Sequence, residues 1–148
     1  MVSKAGEYQG LLLAGMTHLQ PAQVLSQGHI FLAYVEMLER AKAQLALSIA
    51  AADVCVLGSG ALAGTTQGLD QKLIARQLGL SRITSNSYDV SGDRDFILIA
   101  LFSTLMIGTH LSRIAEDLML GQTRGFGIAD MDQAFFTGSS MMPQNKNA

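Results

Sequence analysis

The sequence predicts an all-α protein built on two long core helices. Two stretches, Pro21 to about Ala52 and about Arg94 to Leu120, repeat apolar residues at spacings of three and four. No segment sustains the in-and-out alternation of a half-buried strand. Composition is unusual in one respect. Hydrophobic residues make up 49% of the chain and charged residues 15%, where a soluble domain carries roughly 25% charged residues. A helix that is apolar over most of its circumference belongs inside a bundle. A chain this apolar buries surface against copies of itself or against other parts of a larger protein. Its 148 residues suffice for one domain with a real core and are too few for two.

Leu11-Leu12-Leu13-Ala14 is a brief apolar run stopped by Gly15, and Met16-Thr17-His18-Leu19-Gln20 reads as a polar turn. Pro21 then stands where a helix can begin without losing a hydrogen bond. From there to Ala52 only Gly28 interrupts, giving a rod of roughly 45–50 Å at 1.5 Å per residue. Ile30, Phe31, Tyr34, Met37, Leu38, Ala41, Leu45 and Ile49 form its apolar face, and charge is confined to Glu36, Glu39, Arg40 and Lys42. Glycines then crowd at Gly58, Gly60, Gly64 and Gly68. Their spacing differs from the GxGxxG fingerprint, no strand precedes them and no helix clearly opens from them, so a dinucleotide site is not expected. They let the backbone pass close to a neighbouring helix or a ligand. Asp70 can cap a short helix ending at Leu78, with Gly79 as its stop. Residues 81–93 are polar and turn-rich. The second long helix follows, with Phe96, Ile99, Ala100, Ser103, Ile107, His110, Leu111 and Ile114 in period and Gly121 as its end.

Several function classes find little support. The net charge is −2 with no basic run, which argues against nucleic-acid binding. No uninterrupted apolar run approaches the ~18 residues of a membrane span; the longest, Ile97 to Ile107, carries Ser103 and Thr104. Met1 to Glu7 lacks the character of a secretion signal, and the cytoplasm is the default. The single Cys55 cannot form an internal disulfide and reads as a small buried apolar residue in a reducing compartment.

Polar residues collect at Thr17-His18, at Asn86 through Arg94, and at Thr137 through Asn147, and helix ends of a bundle commonly combine into one site. The last stretch, Gly138-Ser139-Ser140-Met141-Met142-Pro143-Gln144-Asn145-Lys146-Asn147, is either a solvated connection or a loop around an oxyanion, with freed N–H groups, hydroxyls, amides and one cation. His29 and His110 lie on apolar helix faces and read as satisfied core residues. His18, beside Thr17 and ahead of the helix, suits a proton donor or acceptor. Asp93-Arg94-Asp95 is either a helix-start ion cluster or a guanidinium fork for a carboxylate.

Three stretches together resemble argininosuccinate lyase, of the fumarase/aspartase superfamily that includes the delta-crystallins. They are Thr17-His18-Leu19-Gln20-Pro21-Ala22-Gln23, Leu57-Gly58-Ser59-Gly60-Ala61-Leu62-Ala63-Gly64-Thr65 and Gly138-Ser139-Ser140-Met141-Met142-Pro143-Gln144. Asp93-Arg94-Asp95-Phe96 and His110 through Leu118 fit the same pattern. The resemblance implies a long-helix bundle, a homotetramer with active sites drawn from three chains, and reversible elimination of argininosuccinate to arginine and fumarate without cofactor or metal. It implies that Ser139 takes the proton beside a carboxylate, that His18 helps protonate the leaving nitrogen, and that Thr17, Arg94 and Asn147 bind substrate. It also implies that residues 1–148 are a single central segment, with a substrate-binding region before Met1 and the histidine's acidic partner beyond Ala148. One departure stands out. The family loop reads Met-Pro-Gln-Lys-Lys-Asn-Pro, and Asn145 occupies the position of its catalytic lysine. An amide donates a hydrogen bond but carries no charge, so a large loss of rate is expected. Two further readings are a non-enzymatic, crystallin-like helical assembly protein and a sibling lyase acting on another amino-succinyl compound.

Overall fold

A computed structural model describes residues 1–147. In chain order the elements are α1 (Val2–Glu7), β1 (Leu12–Thr17), β2 (Gln20–Ser26), α2 (Gln27–Ala52), β3 (Val54–Cys55), α3 (Gln71–Leu78), β4 (Arg82–Ile83), α4 (Ser87–Gly92), α5 (Asp95–Gln122), a 3-10 turn (Gln133–Phe135), β5 (Thr137–Gly138) and β6 (Lys146–Asn147). The helical class holds, with α2 and α5 the long elements, and three two-stranded ribbons are added to it. The chain divides into two compact units, Met1–Leu38 with Gly108–Ala148, and Glu39–Ile107.

In the first unit the expected helix start at Pro21 is corrected. Residues 12–26 form an antiparallel hairpin and α2 begins at Gln27. Pro21 is compatible with a strand here because the register shifts between Gly15 and Met16, leaving Ala22 without an opposite residue between the pairs Met16↔Pro21 and Gly15↔Gln23. A bulge interrupts the ladder where proline has no N–H to give. The alternation was invisible in sequence because the strands are apolar on both faces: Leu13 and Leu25 are half-buried while Leu12 and Val24 are exposed. The far end of α5 also differs slightly. The helix runs past Gly121 to Gln122, and the Gly121 carbonyl accepts the N–H groups of Ile128 and Ala129 as the chain folds back.

In the second unit, the local signals for α3 hold. The Asp70 carboxylate accepts the Leu73 N–H at 3.0 Å, and Gly79 closes the helix at φ 71°. The turn-rich stretch 81–93 contains the short α4, capped by the Asn86 side chain on Tyr88 and Asp89 N–H. β3 and β4 pair in parallel. Asp53, just past α2, accepts the Ser81 N–H at 2.8 Å and the Ser81 hydroxyl, tying the two strands' entries together. Gly60 has φ 60°, and a Cβ there would sit 2.2 Å from the Gly64 carbonyl oxygen. Gly60 therefore serves the close approach of this loop to itself, while a Cβ at Gly58 would meet the Gln71 side chain of α3 at 2.9 Å and one at Gly68 would meet nothing within 4 Å. Ser103 of α5 is fully buried and donates to the carbonyls of Ile99 and Gln44, a polar stitch between α5 and α2.

Two core assignments change. His29 is exposed at the start of α2, where its N–H bonds the Ser26 hydroxyl. His110 is half-buried, yet both of its ring nitrogens are buried without a partner among the described residues. Cys55 is 1% exposed and free, as its neighbours predict. α5 does contain an 18-residue window of mean hydropathy 1.6, long and apolar enough by length and composition to cross a membrane. The run-length criterion missed it because Ser103 and Thr104 interrupt the apolar residues without lowering the average. Much of that apolar surface is exposed in the single chain, with Leu98, Leu101 and Leu105 each above 60%.

Candidate active site

Thr17 is the last residue of β1 and pairs with Gln20, leaving His18 and Leu19 as a two-residue hairpin loop. Both have positive φ, 52° and 63°. Two-residue loops of this hand match the twist of the strands, and their favoured residues are Asn and Gly. A side chain with a Cβ costs about 1–2 kcal/mol there. Leu19 recovers little of that by burial, being 60% exposed. Such strain is held by the flanking ladder and gathers at functional positions. His18 is thus presented at a turn tip, and not just ahead of a helix as its sequence position suggested.

His18 borders a cavity of about 450 Å³ in the first unit, walled largely by apolar side chains including Leu13, Met16, Leu25 and Phe31. Tyr34 and Asp117 are also on its wall. The Tyr34 hydroxyl donates to Asp117 Oδ2 at 2.9 Å, and burial first, the Asp117 bond second, push the phenol well above its ordinary value. This pair escaped sequence reasoning. Tyr34 read as one of many apolar positions and Asp117 as one of several charges, and 83 residues separate them.

The C-terminal loop closes on itself. β5 and β6 pair Thr137 with Asn147 and Gly138 with Lys146. Inside that ribbon Ser139 is half-buried, and its Oγ accepts the Met142 N–H at 3.1 Å. A donated N–H favours an alkoxide over a hydroxyl, which is the help a serine base requires. Asn145 is half-buried, and its backbone N–H bonds the Met142 carbonyl at 2.8 Å. Lys146 donates its ammonium to Gln133 Oε1. Lys146 and Asn147 border a second, polar cavity of the first unit, about 690 Å³ in volume.

Arg94 belongs to the second unit. It precedes α5, gives Nη1 to the Asp93 carbonyl at 2.5 Å, and borders a cavity of about 500 Å³ together with Arg82, Asp89, Asp93, Thr84 and Ser85. Thr17 and His18 are thus joined in one turn and Ser139, Asn145 and Asn147 in one loop. His18 and Asn147 border different cavities. Among the described residues no group of three or more His, Cys, Asp or Glu side chains is arranged to hold a metal ion.

A family model described as lyase matches residues 1–148. The argininosuccinate lyase of Anaeromyxobacter dehalogenans (strain 2CP-C) is 47% identical over 146 residues, covering 99% of this chain and 31% of that protein. The chain therefore spans about a third of the length of such relatives. Among solved structures, EDDS lyase in complex with formate superposes with a TM-score of 0.94 at 29% identity, covering 99% of this chain and 29% of that one. A variant of EDDS lyase with bound fumarate gives 0.93 at 29% identity, with the same coverages. The helical fold is that of the fumarase/aspartase superfamily.

Proposed function

Because the chain belongs to the lyase family along its whole length, we propose that it is a central segment of an argininosuccinate lyase. The observation that carries this is the 47% identity to an argininosuccinate lyase across 99% of the chain. In the proposed reaction Ser139, as an alkoxide, removes a proton from the carbon beside a substrate carboxylate. The electron pair left on that carbon, a carbanion, then forms the double bond of fumarate as the carbon–nitrogen bond breaks, and His18 gives a proton to the departing nitrogen of arginine. Thr17, Arg94 and Asn147 hold the substrate's polar groups. No cofactor is required.

The part-sites favour assembly. The His18 turn and the Asn147 end of the serine loop border different cavities, and a homotetramer that draws one site from three chains would complete them. Such an assembly, in the cytoplasm, would also cover the exposed apolar residues of α5, without recourse to a bilayer. Asn145 lacks the charge that offsets the carbanion, so the chain works slowly at best. That same residue favours a second reading, a non-enzymatic helical assembly protein of this family. A sibling reaction on another amino-succinyl compound draws support from the likeness to EDDS lyase.

The test is fumarate release from argininosuccinate, followed by ultraviolet absorbance. The chain and its Asn145→Lys variant are each co-assembled with the flanking segments of the Anaeromyxobacter relative. Release that rises with Asn145→Lys and disappears with Ser139→Ala or His18→Asn supports the reading. No release from the lysine variant in a correctly sized tetramer would overturn it in favour of the assembly protein.

A further inference from the structure

We propose that Met141 is an oxidation site through which a hydroperoxide switches off the serine loop. Of the eight methionines, seven are at most 49% exposed: Met37, Met106 and Met131 are half-buried, and Met1, Met16, Met119 and Met142 lie between 37% and 49%. Met141 is 90% exposed. A thioether meets an oxidant in proportion to its exposure, so Met141 is the first to react. Its place in the chain gives that reaction a consequence. Met141 lies inside the ribbon closed by the pairs Thr137↔Asn147 and Gly138↔Lys146, two residues after Ser139. The peptide bond it forms with the next residue carries the Met142 N–H, and that N–H is given to Ser139 Oγ at 3.1 Å. The Met142 carbonyl in turn accepts the Asn145 N–H at 2.8 Å. These two bonds set the shape of the loop around the serine.

In the modification the thioether lone pair attacks one oxygen of hydrogen peroxide. A sulfur–oxygen bond forms as the oxygen–oxygen bond breaks, sulfur gives up two electrons, and the proton of the transferred oxygen passes to the departing hydroxide, which leaves as water. A weak acceptor has become a strong one. The sulfoxide oxygen competes with Ser139 Oγ for the Met142 N–H, and a serine that loses this donor loses the help an alkoxide needs. The regulatory half of the inference rests on the lyase reading, in which Ser139 is the base. That reading also keeps the site reachable after assembly: a loop that admits an amino-succinyl substrate admits hydrogen peroxide, which is far smaller.

The experiment treats the full chain, alone and co-assembled with the flanking segments in the Asn145→Lys background, with hydrogen peroxide. Peptide mass mapping follows oxygen uptake at each methionine, and hydrogen exchange follows the Met142 amide. Met141 is expected to gain its oxygen at least about threefold faster than Met16 or Met119. The Met142 amide should then exchange about threefold faster or more. Fumarate release by the assembly is expected to fall about tenfold, and to return when a methionine sulfoxide reductase and a dithiol remove the oxygen as water. In Met141→Leu release should survive peroxide, because leucine keeps the apolar volume and has no sulfur to oxidise. Oxidation of Met141 no faster than that of Met16 or Met119 would overturn the site. Equal loss of release in Met141→Leu, or an unchanged Met142 amide after oxidation, would overturn the switch. An assembly that releases no fumarate before treatment sinks the lyase reading and the switch with it, while the mapping alone decides the modification site.

Discussion

Replacing Tyr34 by phenylalanine isolates one hydrogen bond and gives it a pH signature. Tyr34 is 5% exposed and its hydroxyl donates to Asp117 Oδ2 at 2.9 Å. The aromatic ring is kept, so the loss is the bond itself. Hydrogen bonds to charged acceptors contribute about 1.5–3 kcal/mol, and the lower end applies because Asp117 is exposed and water replaces the donor. At neutral pH the variant should lose about 1.5 kcal/mol. In urea that lowers the unfolding midpoint by about 0.75 M for a slope of about 2 kcal/mol per molar. The alkaline limb is more telling. Burial, and then Asp117, raise the folded-state pKa of Tyr34. The stabilisation is therefore complete below the unfolded tyrosine value of about 10 and is lost as pH rises towards the folded value. In that interval the unfolded chain has released the proton and the folded chain keeps it, so the native protein loses about 1.4 kcal/mol per pH unit through this residue. The phenylalanine variant has no proton to lose at this position. The gap between the two proteins should shrink to near zero by about pH 11. A gap that stays constant from about pH 8 to about pH 11 would refute this account.

Gly60→Ala places a Cβ 2.2 Å from the Gly64 carbonyl oxygen and should cost at least about 2 kcal/mol. Gly64→Ala, whose nearest contact is 3.8 Å, should cost only the roughly 1 kcal/mol of its positive φ; urea midpoints compare the two. Asp70→Ala removes the acceptor of the Leu73 N–H and should cost about 1 kcal/mol, with amide exchange accelerating first in residues 71–74. Asp53 is held below the ordinary carboxylate range by the Ser81 hydroxyl first and the Ser81 N–H second. Its contribution is present above the unfolded aspartate value and is lost as pH falls through the depressed folded one. Asp53→Asn should therefore flatten the melting-temperature profile on the acid side, and an unchanged acid limb would show that this contact does not matter.

The two long helices were legible because a 3.6-residue period needs only side chains a few positions apart to agree. α3 was legible for the same reason, since Asp70 reaches a donor three residues on and Gly79 closes a turn already begun. The hairpin was not legible. Leu12, Leu13, Val24 and Leu25 are apolar on both faces, so no alternation marks a strand, and its turn is His18-Leu19 in place of the usual glycine or asparagine. The motif residues Thr17, His18, Arg94, Ser139, Asn145 and Asn147 were visible as residue types, while their surroundings were not.

By itself, the sequence determined the helical periods, the cap at Asp70, the crowding of glycines between residues 58 and 68 and the missing charge at position 145. All of these are relations among residues within a few positions of one another, where covalent geometry limits what the backbone can do. Only the tertiary structure decided that His18 sits in a left-handed turn, that Tyr34 meets Asp117, and that Lys146 turns to Gln133. Those outcomes depend on which faces of distant elements pack together, and no local spacing encodes that packing.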